Sequence, residues 1–200
     1  METTRASLLL RLRDHDDQAA WVQFDRIYRP ILSRFAAAMG LRADAVEDVV
    51  QQCMEAVAKH IRSFDYDPTK GRFKSWLRTM VQNKVRNTFR ERHELSADSG
   101  RLTAMPSNED SPEEVFERFW MQEHLWHCLR ELRGEVEEKT YLAFERYVLE
   151  QKPVDEVARE LGMTTNLVYT IKWRLTDKVA AKMKELLNDA DQSPADMPDL

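Results

Sequence analysis

The chain reads as all-α: two small helical domains joined by a flexible linker, the second ending in a helix-turn-helix. Three observations predict this. Apolar residues recur at spacings of three and four through most of the 200 residues, the period of one helical face. Glycines number only five, and alternating β-branched runs are few. Between Leu95 and Ser111 the periodicity collapses into Ser-Ala-Asp-Ser-Gly-Arg and Pro-Ser-Asn-Glu-Asp-Ser-Pro, compositions that make turns and linkers. The expected division is therefore a domain over 1–94, a linker over 95–111, a second domain over 112–187 and a tail over 188–200. The tail is acidic, carries two prolines and is expected to be disordered.

The first helix carries Trp21, Phe24, Tyr28, Ile31, Phe35 and Met39 on one face, and Gly40 ends it. Pro30 within that pattern predicts a kink or a restart, because its ring removes a backbone donor. A second helix runs from about Asp44 to Arg62. Val46, Val49, Val50, Cys53, Met54, Val57 and Ile61 form its apolar stripe, and Glu47, Asp48, Gln51, Gln52, Glu55 and Lys59 lie opposite. Ser63 to Gly71 has the Pro, Gly and Asp content of a loop. The third helix turns Phe73, Trp76, Leu77, Met80, Val81, Val85 and Phe89 inward and repeats Lys74, Arg78, Gln82, Arg86 and Arg90 along its outer side.

After the linker, Ser111-Pro112-Glu113-Glu114 reads as a helix start: a capping Ser, Pro in the first turn, and Glu three after the cap. That helix carries Val115, Phe116, Phe119, Trp120, Leu125, Leu129 and Leu132 up to Gly134. Another helix is expected from Glu135 to about Gln151. The chain then enters its most informative stretch. Val154, Val157, Ala158 and Leu161 fall on one helical face, and Gly162 supplies the positive φ of a sharp turn. Thr164 or Thr165 caps a last helix whose apolar residues are Leu167, Val168, Ile171, Leu175 and Val179. Two short helices about a Gly-containing turn form either a plain hairpin or a DNA-reading unit with its second helix in the major groove.

Composition narrows the function classes. Charges interrupt every apolar run, so no transmembrane segment is expected, and the N-terminus lacks a secretory pattern. Cys53 and Cys128, far apart on apolar faces, read as reduced core thiols of a cytoplasmic protein. The net charge of −5 does not point to nucleic acid, but its distribution does. From Arg62 to Arg92 the basic residues are Arg62, Lys70, Arg72, Lys74, Arg78, Lys84, Arg86, Arg90 and Arg92, against Asp65, Asp67 and Glu91; Glu94 to Glu138 is strongly acidic. No catalytic constellation, Gly-rich phosphate loop or cofactor motif appears, so neither an enzyme nor a cofactor is expected. His124-x-x-His127-Cys128 lacks further ligands, and its histidines read as helix surface. The Asp65 to Gly71 loop fits calcium poorly, with its Gly one position late and Trp76 where the bidentate Glu belongs. No metal is expected.

A basic helix behind an aromatic-bearing loop suits single-stranded DNA, with bases stacking on rings while cations follow phosphates. Phe73 and Trp76 fit the core stripe, which leaves Tyr66 as the best exposed ring.

Asp44-Ala-Val-Glu-Asp-Val-Val-Gln-Gln-Cys, Phe73-Lys-Ser-Trp-Leu-Arg-Thr-Met-Val-Gln-Asn83 and the helix-turn-helix, in that order around such a linker, resemble bacterial RNA polymerase sigma factors of the extracytoplasmic-function (ECF) type. The resemblance covers about Asp16 to Leu187. It implies a region 2-like domain that binds core polymerase and opens the −10 element, and a region 4-like domain that reads the −35 element. The face of Glu47, Asp48, Gln51, Gln52 and Glu55 resembles the surface that binds the clamp of the large polymerase subunit. Asp65, Tyr66, Lys70, Arg72, Lys74, Arg78, Asn83 and Arg86 correspond to the −10 DNA-binding set, Asn83 matching the family's Asn in its promoter-reading helix. Thr164, Thr165, Asn166, Tyr169, Thr170, Lys172 and Arg174 correspond to the −35 set, though that helix is less basic here than the family pattern. Trp173 reads as an exposed wedge or a core residue, and core or domain packing is favoured. The implied partners are core RNA polymerase, promoter DNA both duplex and melted, and an anti-sigma factor. The competing reading is a stand-alone helix-turn-helix transcriptional regulator with an N-terminal helical interaction domain.

Overall fold

The computed structural model describes residues 6–61, 73–96 and 110–190, and among these the regular structure is entirely helical. Two compact units are present. One holds the described residues up to Glu123 together with 187–190, and the other holds His124–Leu186.

In the first unit, α1 (Ala6–Arg11) leads to α2 (Gln18–Ala38). Asp17 caps α2: its carboxylate accepts from the Ala20 N–H at 3.0 Å and takes both arms of the Arg11 guanidinium at 2.7 and 2.9 Å. That fork, then the cap bond, holds the Asp17 carboxyl below the usual range. α1 was not apparent in the sequence, yet Leu8, Leu9 and Leu12 are buried. α2 runs through Pro30 without a restart. Tyr28, Ile31 and Leu32, on both sides of the proline, are buried in one core, which fastens the two halves to a common surface. Gly40 turns the chain at φ 91° into α3 (Ala43–His60). α4 (Phe73–Ser96) follows the expected phase, with Phe73, Leu77, Met80, Val81 and Val85 buried.

α5 (Pro112–Glu135) begins at the predicted capping box. The Ser111 N–H and hydroxyl both donate to Glu114 Oε2 at 2.8 Å, and the Glu114 N–H donates back to the hydroxyl at 3.3 Å. Its residues 112–123 belong to the first unit, where Val115, Phe116 and Trp120 are fully buried. The boundary between compact units thus falls inside this helix, whereas the sequence places all of it after the linker. Rings unify the first core: Phe116 meets Phe35 edge-on at 5.4 Å, Tyr28 lies 5.6 Å from Trp120, and Phe73 packs on both Phe24 and Tyr28.

In the second unit the single helix expected over Glu135 to Gln151 is divided. α6 (Glu138–Phe144) passes into a π turn (Glu145–Leu149), in which the Glu150 N–H reaches the Glu145 carbonyl at 2.9 Å. Gln151, at φ 56°, and the bond from Lys152 N–H to the Arg146 carbonyl close the end. α7 (Val154–Leu161) stops at Gly162, φ 55° and ψ 49°, as the turn requires. α8 (Thr165–Ala190) is capped by Thr164, whose Oγ1 accepts from the Leu167 N–H at 3.2 Å. The first three residues of the expected tail, 188–190, are helical, and the rest lies outside the described residues. Val157, Ala158, Val168, Ile171 and Leu175 build the core with Leu129, Leu132, Ala143 and Phe144.

Three side-chain placements correct the sequence reading. His124 and His127 are buried, not on the surface, because they share the face of α5 that carries Trp120 and Cys128. Leu167 is exposed (45%), one position before the buried Val168. Trp173 is the most exposed large apolar residue described, at 73%, and not packed in a core. It lies two residues from both Ile171 and Leu175, on the opposite side of the helix from the stripe they form.

Candidate nucleic-acid and polymerase interface

The acid-and-amide face of α3 is outward. Glu47, Asp48, Gln51, Gln52 and Glu55 are all exposed, while Val49, Val50, Cys53 and Val57 on the other side are buried. Neighbours order part of the face. The Gln51 amide donates to Glu55 at 3.0 Å, and Arg29 of α2 bridges Asp25 at 2.7 Å and Glu47 at 3.0 Å. A groove of about 450 Å³ runs alongside, lined by Trp21, Val22, Asp25, Arg29, Gln51, Met54, Glu55 and Ala58. Trp21, Val22, Met54 and Ala58 give it an apolar part, and Asp25, Arg29 and Glu55 a charged one.

Four of the eight residues assigned to −10 DNA are described. Lys74, Arg78 and Arg86 fall, with Gln82, at every fourth residue along one side of α4, and Asn83 lies next to that row. Arg86 is exposed; Lys74, Arg78 and Asn83 are half-buried. Asp65, Tyr66, Lys70 and Arg72 lie outside the described residues, as does the whole Ser63 to Gly71 loop. The side chains that face the row come from α5, and local sequence patterns do not identify them. Lys74 donates to Glu117 of α5 at 2.6 Å, and the Gln82 amide donates to Glu113 at 3.1 Å. Gln82 holds the Glu113 carboxyl below the usual range, helped by the Glu113 backbone N–H and, from further off, by Arg78 and Arg86. Lys74 Nζ also lies 5.6 Å from the Trp120 ring centroid.

In the second unit α8 presents Thr164, Asn166, Tyr169, Thr170, Lys172 and Arg174 to solvent; Thr165 is half-buried. Buried Val168, Ile171 and Leu175 fix that phase. Tyr147 supports the face: its ring meets Tyr169 edge-on at 5.7 Å, and Lys172 Nζ lies 5.4 Å from it. Trp173 joins this face, and the sequence reading missed it. Its position opposite the Ile171–Leu175 stripe was the signal that marked it as outward.

Among the described residues no group of three or more His, Cys, Asp or Glu is placed to hold a metal ion. Both cysteines are buried thiols outside any disulfide, and burial pushes the Cys53 thiol up to about 12. No described helix is long and apolar enough to cross a membrane.

Comparison with known proteins gives one family match: residues 25–94, from the middle of α2 to the end of α4, match Sigma-70 region 2. No curated protein matches the chain. Among solved structures, CnrH in complex with the cytosolic domain of CnrY is similar at 18% identity, over 89% of this chain and 96% of that one. Its TM-score of 0.36 is too low to bear on architecture or partners.

Proposed function

We propose, for a chain whose residues 25–94 match Sigma-70 region 2, how its surfaces divide the work of a sigma factor. The family is non-enzymatic, and its members bind RNA polymerase and direct promoter recognition. In this reading residues 1–94 are the region 2-like domain, 95–111 the linker and 112–187 the region 4-like domain of an ECF-type factor acting in the cytoplasm. Glu47, Asp48, Gln51, Gln52 and Glu55 meet the clamp of the large polymerase subunit. Lys74, Arg78, Asn83 and Arg86 act on the −10 element with Asp65, Tyr66, Lys70 and Arg72. Thr164, Thr165, Asn166, Tyr169, Thr170, Lys172 and Arg174 read the −35 duplex, and Trp173 is added to them. An anti-sigma factor as partner rests on the family resemblance alone.

The observation that carries this reading is a pairing inside the matched stretch. An exposed acid-and-amide face on α3 stands in the same unit as a basic row on α4. A stand-alone regulator has no use for that pair. The chemistry of RNA synthesis belongs to the polymerase, and this chain supplies recognition and DNA opening. The test is co-purification with core polymerase followed by runoff transcription from genomic fragments, with Asp48→Arg as the probe. Asp48 is exposed on a helix, so its reversal should leave stability within about ±0.5 kcal/mol while core binding falls sharply. Normal core binding by the variant removes this face from the interface. Tight sequence-specific promoter binding without polymerase favours the stand-alone regulator instead.

A further inference from the structure

The basic row of α4 is partly covered by the start of α5: Lys74 and Arg78 are half-buried, while Arg86 stays exposed. Glu117 takes Lys74, Glu113 takes Gln82, and Arg78 and Arg86 are near enough to Glu113 to favour its ionised form. Phe116 and Trp120 sit in the core beside them. We propose that residues 112–123 are a cover carried by the chain itself: in the free protein Glu113 and Glu117 take the places of DNA phosphates on α4, and binding to core polymerase removes them. The proposal rests on the assignment of α4 to −10 DNA.

Three features mark the seam as one made to open. A cavity of about 150 Å³, lined by Phe35, Met39, Gln82, Val85, Arg86 and Pro112, lies beside the N-terminus of α5, so Pro112 is less closely packed than the buried Val115 and Phe116. Arg78 Nε is buried there without a hydrogen-bond acceptor among the described residues, a defect that a phosphate oxygen would repair. The polar contacts are also weak ones: the Glu117 side chain is 51% exposed, and exposed ion pairs hold little against screening. Phe116 and Trp120 therefore carry most of the closed state and the two carboxylates the rest, and full opening requires a partner large enough to compensate for exposing the rings. Core polymerase is such a partner, whereas a short stretch of DNA is not. Closed by rings and marked by carboxylates, the cover keeps the free chain off nucleic acid without weakening α4 itself.

The decisive experiment uses the full chain with Gln82→Cys and Glu113→Cys, joined by a short, dithiothreitol-cleavable bis-methanethiosulfonate linker. Cys53 and Cys128 are buried and do not compete for it. The linked protein is expected to co-purify with core polymerase yet form open complexes at least about tenfold less than either single variant capped with methanethiosulfonate, with recovery on reduction. Normal promoter opening by the linked holoenzyme overturns the cover. A second arm uses Glu113→Gln with Glu117→Gln in the free chain, which should bind a single-stranded −10 oligonucleotide about three- to tenfold more tightly than wild type. Unchanged affinity there also overturns it. Arg86→Ala separates the two ideas. If that variant's holoenzyme opens promoters like wild type, α4 is not the DNA face, and the assignment and the cover fall together. If it is defective while the linked protein works normally, only the cover falls.

Discussion

The two compact units carry their charged helices in opposite ways. In the first, the basic row of α4 is met by carboxylates from α5, above a core built on Phe24, Tyr28, Phe35, Phe73, Phe116 and Trp120. In the second, no carboxylate among the described residues pairs with Lys172 or Arg174 on the outward face of α8, and the core is mainly aliphatic: Leu129, Leu132, Val157, Val168, Ile171 and Leu175. The difference teaches that one chain holds its two candidate DNA surfaces at different readiness. A surface that must grip opened strands is dangerous when free, since stacking and phosphate contacts are tolerant of sequence. One that reads base edges in a duplex is restrained by its own specificity.

The largest effect should come from the aromatic core. Trp120→Ala removes a fully buried ring and should cost about 3–5 kcal/mol in the first unit, measured by urea denaturation. A loss below about 1 kcal/mol would mean that α5 is only loosely attached to that core, and the contrast between a closed and a bare surface would disappear.

On the bare side, Asn166→Ala and Trp173→Ala should reorder the preferred −35 sequences, since a base-edge contact gives about 1–3 kcal/mol of discrimination. Arg174→Ala should lower transcription from all promoters without reordering them. Randomised −35 libraries transcribed with each variant read this out. An unchanged ranking for Trp173→Ala would assign that ring to a protein partner.

Gly162→Ala tests the turn that sets α8 on α7. Nothing lies within 4 Å of the added Cβ, so the expected loss of about 1 kcal/mol is purely the conformational cost of φ +55° in an L residue. A melting curve measures it, and a much larger loss would show that the turn also packs against something.

The smallest effect concerns acid. Contact with the His127 imidazole, then Lys182, holds the Glu131 carboxyl down to about 2. Because its folded value is depressed, the stabilisation is fully present above the ordinary carboxylate value near 4.5 and is lost as pH falls toward 2. The side chain is 41% exposed, so screening leaves only a fraction of the unscreened figure. Glu131→Gln should flatten the stability profile of the second unit between those two pH values, and an unaltered slope would place the acid sensitivity elsewhere.

Much of the fold could be read directly because its signals are local. The capping box at Ser111 and Glu114, the Thr164 cap and the left-handed Gly162 each depend on a few neighbouring residues. The α3 face was equally legible, since one clean stripe of valines sets its phase. α5 was harder because apolar residues occur around it: Trp120, Cys128 and Leu132 are buried, but Met121, Leu125 and Trp126 are exposed. With no clear stripe, nothing in the sequence put His124 and His127 inside. Trp173 was misplaced for the opposite reason. The phase of α8 pointed it outward, and a general expectation that large rings are buried outweighed the geometry. The contact of Glu113 and Glu117 with α4 was foreshadowed by segregated charge alone, and only tertiary packing chose the partners.

The π turn at Glu145–Leu149 has a consequence for how this protein tolerates change in length. Its ring closes over five residues through Glu150 and Glu145, so the turn holds one residue more than an α-helical path would. Tyr147 sits inside it, touching Tyr169 and Lys172 on the face assigned to DNA. Deleting Glu145 or Arg146 would return the segment to α spacing and shift Tyr147 by one position, about 100° around the axis, while residues beyond the turn keep nearly the same phase. The Tyr147 ring would leave α8, and the support of that helix would go with it. Loops elsewhere can gain or lose residues one at a time, but here the chain length is locked to the register of the helix it supports. Descendants of this sequence should keep the residue count of Glu145–Leu149 and an aromatic ring at position 147.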